Sequence, residues 1–184
     1  PTLEETSGRS QPLYVRGDHR LPAENVMPRF LEAIDSAEYK PEVNARVQLA
    51  KDLIRDDNPL TRRVIANRIW HHLLGRGIVS TPDNLGRMGT EPSHPELLDW
   101  LANQLREQNW SLKSLIRMIV TSETWQQSST PSPMATDTDP NNQWLSHANL
   151  RRLDAEVIRD SLLASSDQLD TKLFGEPVGD EAHR

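Results

Sequence analysis

The residues whose types and spacing could do chemistry are Arg63, Asn67 and His71, which recur every fourth position in a stretch otherwise rich in apolar side chains. On a helix that spacing stacks them in one column. Apolar columns flank it, so the three groups would be partly buried and would each need a hydrogen-bond partner. Two roles fit. They can pin a nearby loop or the N-terminal arm through its backbone carbonyls, or they can wall a ligand cleft in which Arg63 receives an anion. Arg68 and His72 fall on a third column that reads as a solvated face. His71 and His72 do not read as a metal site. Adjacent helical side chains point about 100° apart, and the three- or four-residue spacing of paired ligands is missing. His94 could approach them only through folding, and no carboxylate cluster points to such a site.

Other chemistry is hard to find. No GxSxG elbow, P-loop or GxGxxG occurs. Asp and Glu are scattered, and no pair stands out for acid–base work. With no cysteine there is no disulfide, no thiolate zinc site, no thiol nucleophile and no CxxCH attachment for c-type haem. Arg16-Gly17-Asp18 matches an adhesion tripeptide but reads more simply as a polar turn after a short strand. The net charge of −6 works against phosphate backbones and anionic lipid. The hairpin over residues 93–121, a formal helix-turn-helix, offers only Lys113 and Arg117 on its second helix, too few for nucleic acid. No run has the apolar length of a membrane span. Pro1 opens the chain without a signal peptide, which reads as a piece of a longer precursor.

The element that positions the column is a helix over 59–74. Asn58 suits its N-cap and Pro59 its first position. Asp56 and Asp57 complement the helix dipole, and Gly75 and Gly77 end the run. Ile65, Ile69 and Leu73 make one apolar column, with Ala66, Trp70 and Leu74 beside it. An earlier helix, about 42–55, carries Val43, Val47, Ala50 and Ile54 on one face. An eighteen-residue stretch, about 75–92, is a long loop of a length that is usually functional or tied by its own packing; Ile78, Val79, Leu85 and Met88 are its candidate ties. Ser93 and Glu96 form a capping box for a third helix with Leu97, Leu98, Leu101 and Leu105 inward. Ser111 caps a fourth, with Leu112, Leu115, Ile116, Ile119 and Val120 inward, and the two make an αα-hairpin. A fifth runs from Asp154 to Ser165 with Ile158 and Leu162 inward.

The fold expected is therefore all-α: an irregular bundle of about five helices around a central buried helix, 59–74. A loosely structured N-terminal arm (1–40) precedes a helical domain (41–170) with a flexible loop at 128–142, and a disordered tail (171–184) follows. A chain of 184 residues suits one domain. Its mean hydropathy of −0.67 is low for a compact fold, which leaves room for loops and tails. Five tryptophans, all between Trp70 and Trp144, place the core in the middle of the chain.

Several ungapped motifs, DNPLTRRVIANRIWHHLLGRGIVSTPDNLG, SHPELLDWLANQL, NWSLKSLIRMIVTSETWQQSS and RRLDAEVIRDSLL, follow one another in a fixed order. In these the chain closely resembles the planctomycete-specific PSD family, a domain of unknown function found in large secreted bacterial proteins. The similarity covers about Tyr14 to Val178, with divergence from Gly179, and no catalytic residue carries over from the family. The resemblance implies a periplasmic or cell-envelope setting and neighbouring modules, often of the c-type cytochrome kind; the haem would lie there, since this chain has no attachment motif. Two functions follow as expectations. One is a non-catalytic helical module that scaffolds or docks neighbouring domains. The other is an enzyme or ligand-binding domain acting on a glycan or other envelope substrate, with a cleft near the 75–92 loop that holds Arg63, Asn67 and His71.

Overall fold

The computed structural model describes residues 10–40 and 42–172. It is mainly helical, with six helices and a small two-stranded sheet among the described residues. The expectation of an all-α fold needs that correction. Strands β1 (Gln11–Tyr14) and β2 (Pro22–Val26) pair antiparallel, with an irregularity between Pro12 and Tyr14. Arg16 and Gly17 turn the chain between them with φ of 53° and 77°. The short strand expected before Arg16-Gly17-Asp18 is β1, which ends at Tyr14, and Val15 already starts the turn. Residues 1–9, 41 and 173–184 lie outside the described residues, and the disordered tail expected over 171–184 falls almost wholly outside them.

The chain divides into two compact units, 1–149 and 150–184. In the first, helix α1 (Ala45–Leu53) is capped by Asn44, whose side chain accepts from the Arg46 and Val47 amides. Helix α2 (Pro59–Leu74) starts and stops where local chemistry dictates. The Asn58 side chain accepts from Leu60 N at 3.0 Å, and Gly75, with φ of 84°, closes the last turn on the His71 carbonyl. Helix α3 (Pro95–Glu107) packs along α2, and α4 (Leu112–Val120) packs against both. The core gathers Ala66 and Trp70 from α2, Ile78 and Val79 from the following loop, Leu98, Leu101 and Leu105 from α3, and Leu115 and Ile119 from α4.

Helix α3 begins differently from its capping-box signature. Its N-cap is His94, which makes no side-chain cap bond. Ser93 is drawn instead to the Ile78 carbonyl, which accepts from both its amide (2.9 Å) and its hydroxyl (3.2 Å). Pro95 at the first position then sets the helical φ. The turn into α4 runs through Asn109 and Trp110, both in the left-handed region at φ of 51° and 60°, and Ser111 caps α4 through the Ser114 amide.

Burial departs from helical periodicity in several places. On α1, Val47, Leu49 and Leu53 stay exposed and the buried residue is Asp52. On α4, Leu112 and Ile116 are exposed while Leu115 and Ile119 fill the core. Among the tryptophans only Trp70 is fully buried; Trp100 is half-exposed and Trp144 is 65% exposed. The polar stretch 128–142 contains a short helix, α5 (Pro133–Thr138), followed by a tight polar turn. There Asp139 accepts from the amides of Gln143 and Trp144, and Asn142 bonds both the amide and the carbonyl of His147. In the second unit, α6 (Ala155–Ser165) starts after Asp154 as expected, but Ile158 and Leu162 are exposed.

Replacing Leu101 or Leu105, both essentially inaccessible, by Ala should lower stability by about 2–5 kcal/mol. Ile116→Ala, at a half-open position, should cost well under half as much. Urea unfolding of the three variants checks the ranking.

Candidate functional site

The three residues of the α2 column have three different environments. Asn67 is fully buried, at 0% exposure. Its Nδ2 donates to the Val79 carbonyl at 3.0 Å and its Oδ1 accepts from the Val79 amide at 2.8 Å. One side chain thus acts as a strand edge and closes both polar groups of one loop residue. Gly77 makes room for it: a Cβ there would sit 2.9 Å from Asn67 Oδ1 and 2.4 Å from the Val79 carbonyl oxygen. The chain leaves α2 through Gly75, passes Gly77 beneath Asn67, and delivers Ile78 and Val79 into the core.

Arg63 sits one turn earlier and is paired with Asp99 on α3, at 2.5 Å from Nε to Oδ1. Both side chains remain over 40% exposed, so solvent screens the pair and it contributes at most about 1 kcal/mol. His71, one turn later, is half-buried. Its Nδ1 is enclosed and has no hydrogen-bond partner, and its ring meets His72 edge-on at 5.5 Å between centroids.

A cleft of about 150 Å³ does lie under the 75–92 loop. Leu60, Val64, Leu85 and Leu98 line it, with Arg63 at its edge. Asn67 and His71 are not among its lining residues. Of the proposed ties of the loop, Ile78 and Val79 are buried, Leu85 is half-buried, and Met88 is left 88% exposed. Hydroxyl groups supply what Met88 does not. The Thr90 hydroxyl accepts from Ser80 N, and the Thr81 hydroxyl donates to the Asn84 carbonyl and accepts from Thr90 N.

A second polar cluster ties the N-terminal segment to α1. The Tyr39 hydroxyl donates to buried Asp52 at 2.7 Å, Gln48 donates to the other Asp52 oxygen, and Arg55 bridges Asp35 and Asp57. Desolvation by burial, then the Asp52 carboxylate, push the Tyr39 phenol up to about 12. The Arg55 guanidinium holds the Asp35 and Asp57 carboxyls below the ordinary range. Asp18, within the Arg-Gly-Asp tripeptide, is likewise lowered by its contact with Arg20. Among the described residues no group of three or more His, Asp and Glu gathers in metal-binding proximity.

One further buried polar group of α2 lies outside the Arg63, Asn67 and His71 column. Arg62 is 7% exposed, and its Nε and Nη1 are buried without a partner. It stands four residues before Ala66 and eight before Trp70, at the head of the column that enters the core. That register was the available signal.

A family model described as PSD1, a protein of unknown function (DUF1553), matches residues 45–184. The chain belongs to that family. The match begins later than Tyr14, leaving the YVRGD segment outside it, and continues past Val178 to the last residue, so the divergence expected at Gly179 is not upheld. No curated protein and no solved structure is detectably similar to the chain. The matched PSD1 region contains the whole α2 column, the 75–92 loop and Arg62, while the tyrosine of the Tyr39–Asp52 bond precedes it.

Asn67→Leu strands two buried backbone groups at Val79 and should destabilise the fold by about 2–6 kcal/mol. Arg63→Met should change stability by less than about 1 kcal/mol. Chemical denaturation of both variants tests the contrast. Because the Tyr39 pKa is raised on folding, its stabilisation is complete below pH 10 and lost as pH rises towards 12. For Asp35 and Asp57 the sign is opposite, and their contribution fades as pH falls below the ordinary carboxylate range. A phenolate absorbance titration should show one tyrosine ionising near 12, and lower in Asp52→Asn.

Proposed function

We propose that this PSD1 domain is a non-catalytic helical module that docks neighbouring domains of a cell-envelope protein. The observation that carries this reading is the open apolar side formed by α1 and the residues that flank it. Val43, Val47, Leu53 and Ile54 are each more than a third exposed. The helix is nonetheless well built, with a side-chain N-cap and a buried carboxylate held by Tyr39. An apolar row kept exposed on a rigid element is what a partner surface requires. The hydrogen bonding of Asn67 and Arg63 supports the same reading, since it commits both groups to the fold. No helix among the described residues is long and apolar enough to cross a membrane. The resemblance to secreted multi-domain proteins supports a periplasmic setting and neighbours that include c-type cytochrome modules, which would bring the haem.

A second reading has one specific observation in its favour. Arg63 borders an apolar cleft under the 75–92 loop, and a glycan or other envelope substrate with an apolar face and an anionic group would suit it. Asn67, bonded to Val79 of the lining, would then support the wall from behind.

The docking reading is tested by titrating this chain with separately purified neighbouring modules of its own polypeptide in a calorimeter. Binding is expected, and Val47→Asp combined with Ile54→Asp should weaken it at least about tenfold, the scale of losing one buried apolar anchor. Absence of binding to every neighbour would overturn it. Retained binding by the double variant would remove α1 as the surface.

A further inference from the structure

We propose that the head of α2 holds a binding site for a small free carboxylate, centred on Arg62. A cleft of about 200 Å³ opens there, lined by Pro59, Arg62 and Arg63 of α2 and by Asp99, Ala102 and Asn103 of α3. It lies on the other side of Arg63 from the apolar cleft under the loop, with which it shares no other lining residue.

The argument starts from Arg62 itself. A guanidinium carries five N–H donors and stays charged at any physiological pH. Burying one without a partner is strongly unfavourable, and such groups ordinarily meet a carboxylate or a set of carbonyls. Here the residue is more than nine-tenths buried, two of its nitrogens find no acceptor, and no carboxylate among the described residues pairs with it. The nearest candidate along the cleft, Asp99, is taken by Arg63 through both Nε and Nη2.

Charge then selects the ligand. Two guanidinium groups and one carboxylate leave the cleft with a single net positive charge. A monoanion balances it. A carboxylate also matches the planar fork of an arginine, and two parallel N–H bonds form once the Arg62 side chain, whose Nε and Nη1 are enclosed, turns outward into the cleft it lines. Asn103 adds an amide at the rim, able to donate to the same group. Pro59 and Ala102 present no competing side-chain acceptor, and the first turn of α2 adds the positive end of a sixteen-residue helix dipole.

The test compares thermal unfolding in sodium acetate with that in sodium chloride at equal ionic strength and pH 7. Acetate at tenfold its dissociation constant should raise the wild-type midpoint by about 3–6 °C over chloride. Arg62→Met should abolish the difference, while its own midpoint in chloride stays level or rises, because an unpaired buried charge has been replaced by an apolar chain. Asp99→Asn, which removes the competing carboxylate, should tighten acetate binding by at least about threefold. In wild-type protein labelled with nitrogen-15, the Arg62 Nε–H resonance should move saturably with acetate, a readout that needs no variant to fold. The blocked peptide acetyl-Ala-Glu-Ala-amide should have no greater effect than acetate. Superimposable acetate and chloride curves with a stationary Arg62 resonance would overturn the site. A stronger effect of the peptide would overturn its assignment to a free acid.

Discussion

The fold turns on a side-chain amide standing in for a strand. Asn67 closes both backbone groups of Val79 inside the core, and this bond pair decides the path of the chain after α2. Without it the loop would bury an N–H and a C=O with no partner, and Ile78 and Val79 could not enter the apolar cluster without that cost. Once it forms, Ile78 presents its carbonyl to Ser93, which sets where α3 begins. Helix α3 then packs along α2 and carries Leu98, Leu101 and Leu105 against Ala66 and Trp70. The order of causes runs from one polar side chain to the packing of three helices.

Much of this was readable locally. Asn58, Pro59 and Gly75 bound α2 because caps depend on neighbours one to three residues away. Asn67 stood out because an amide between apolar columns must find a partner, and pinning a loop backbone was one of its two expected roles. What the sequence left hidden was non-local. Ser93 has the right spacing to Glu96 for a capping box, yet its amide and hydroxyl both donate to the Ile78 carbonyl, fifteen residues upstream, and the helix begins one residue later with His94 as its N-cap. Arg62 stands at the top of the apolar column of Ala66 and Trp70, and nothing local to it shows that its charge follows that column inward without a partner.

Periodicity also overstated burial. An apolar face on α1 or α6 says that a surface wants cover and says nothing of whether this chain supplies it. Within their own units Val47, Ile54, Ile158 and Leu162 stay open. Trp144 shows the same point for single side chains: its ring lies against His94 at 5.5 Å yet remains largely in solvent. The N-terminal segment errs the other way. Read as a loose arm, it forms a hairpin and then ties Tyr39 to Asp52 and Asp35 to Arg55, polar anchors that leave no trace in hydrophobic pattern. The surfaces left open and the charge left unpaired are what the functional proposals rest on.

Hydrogen exchange at one amide tests the central claim most directly. If Asn67 holds Val79 within the core, the Val79 amide should exchange only through global unfolding, as slowly as the amides of Leu101 and Leu105. Exchange of Val79 at the rate of the exposed loop amides around Arg87 and Met88, with α3 still protected, would contradict the account.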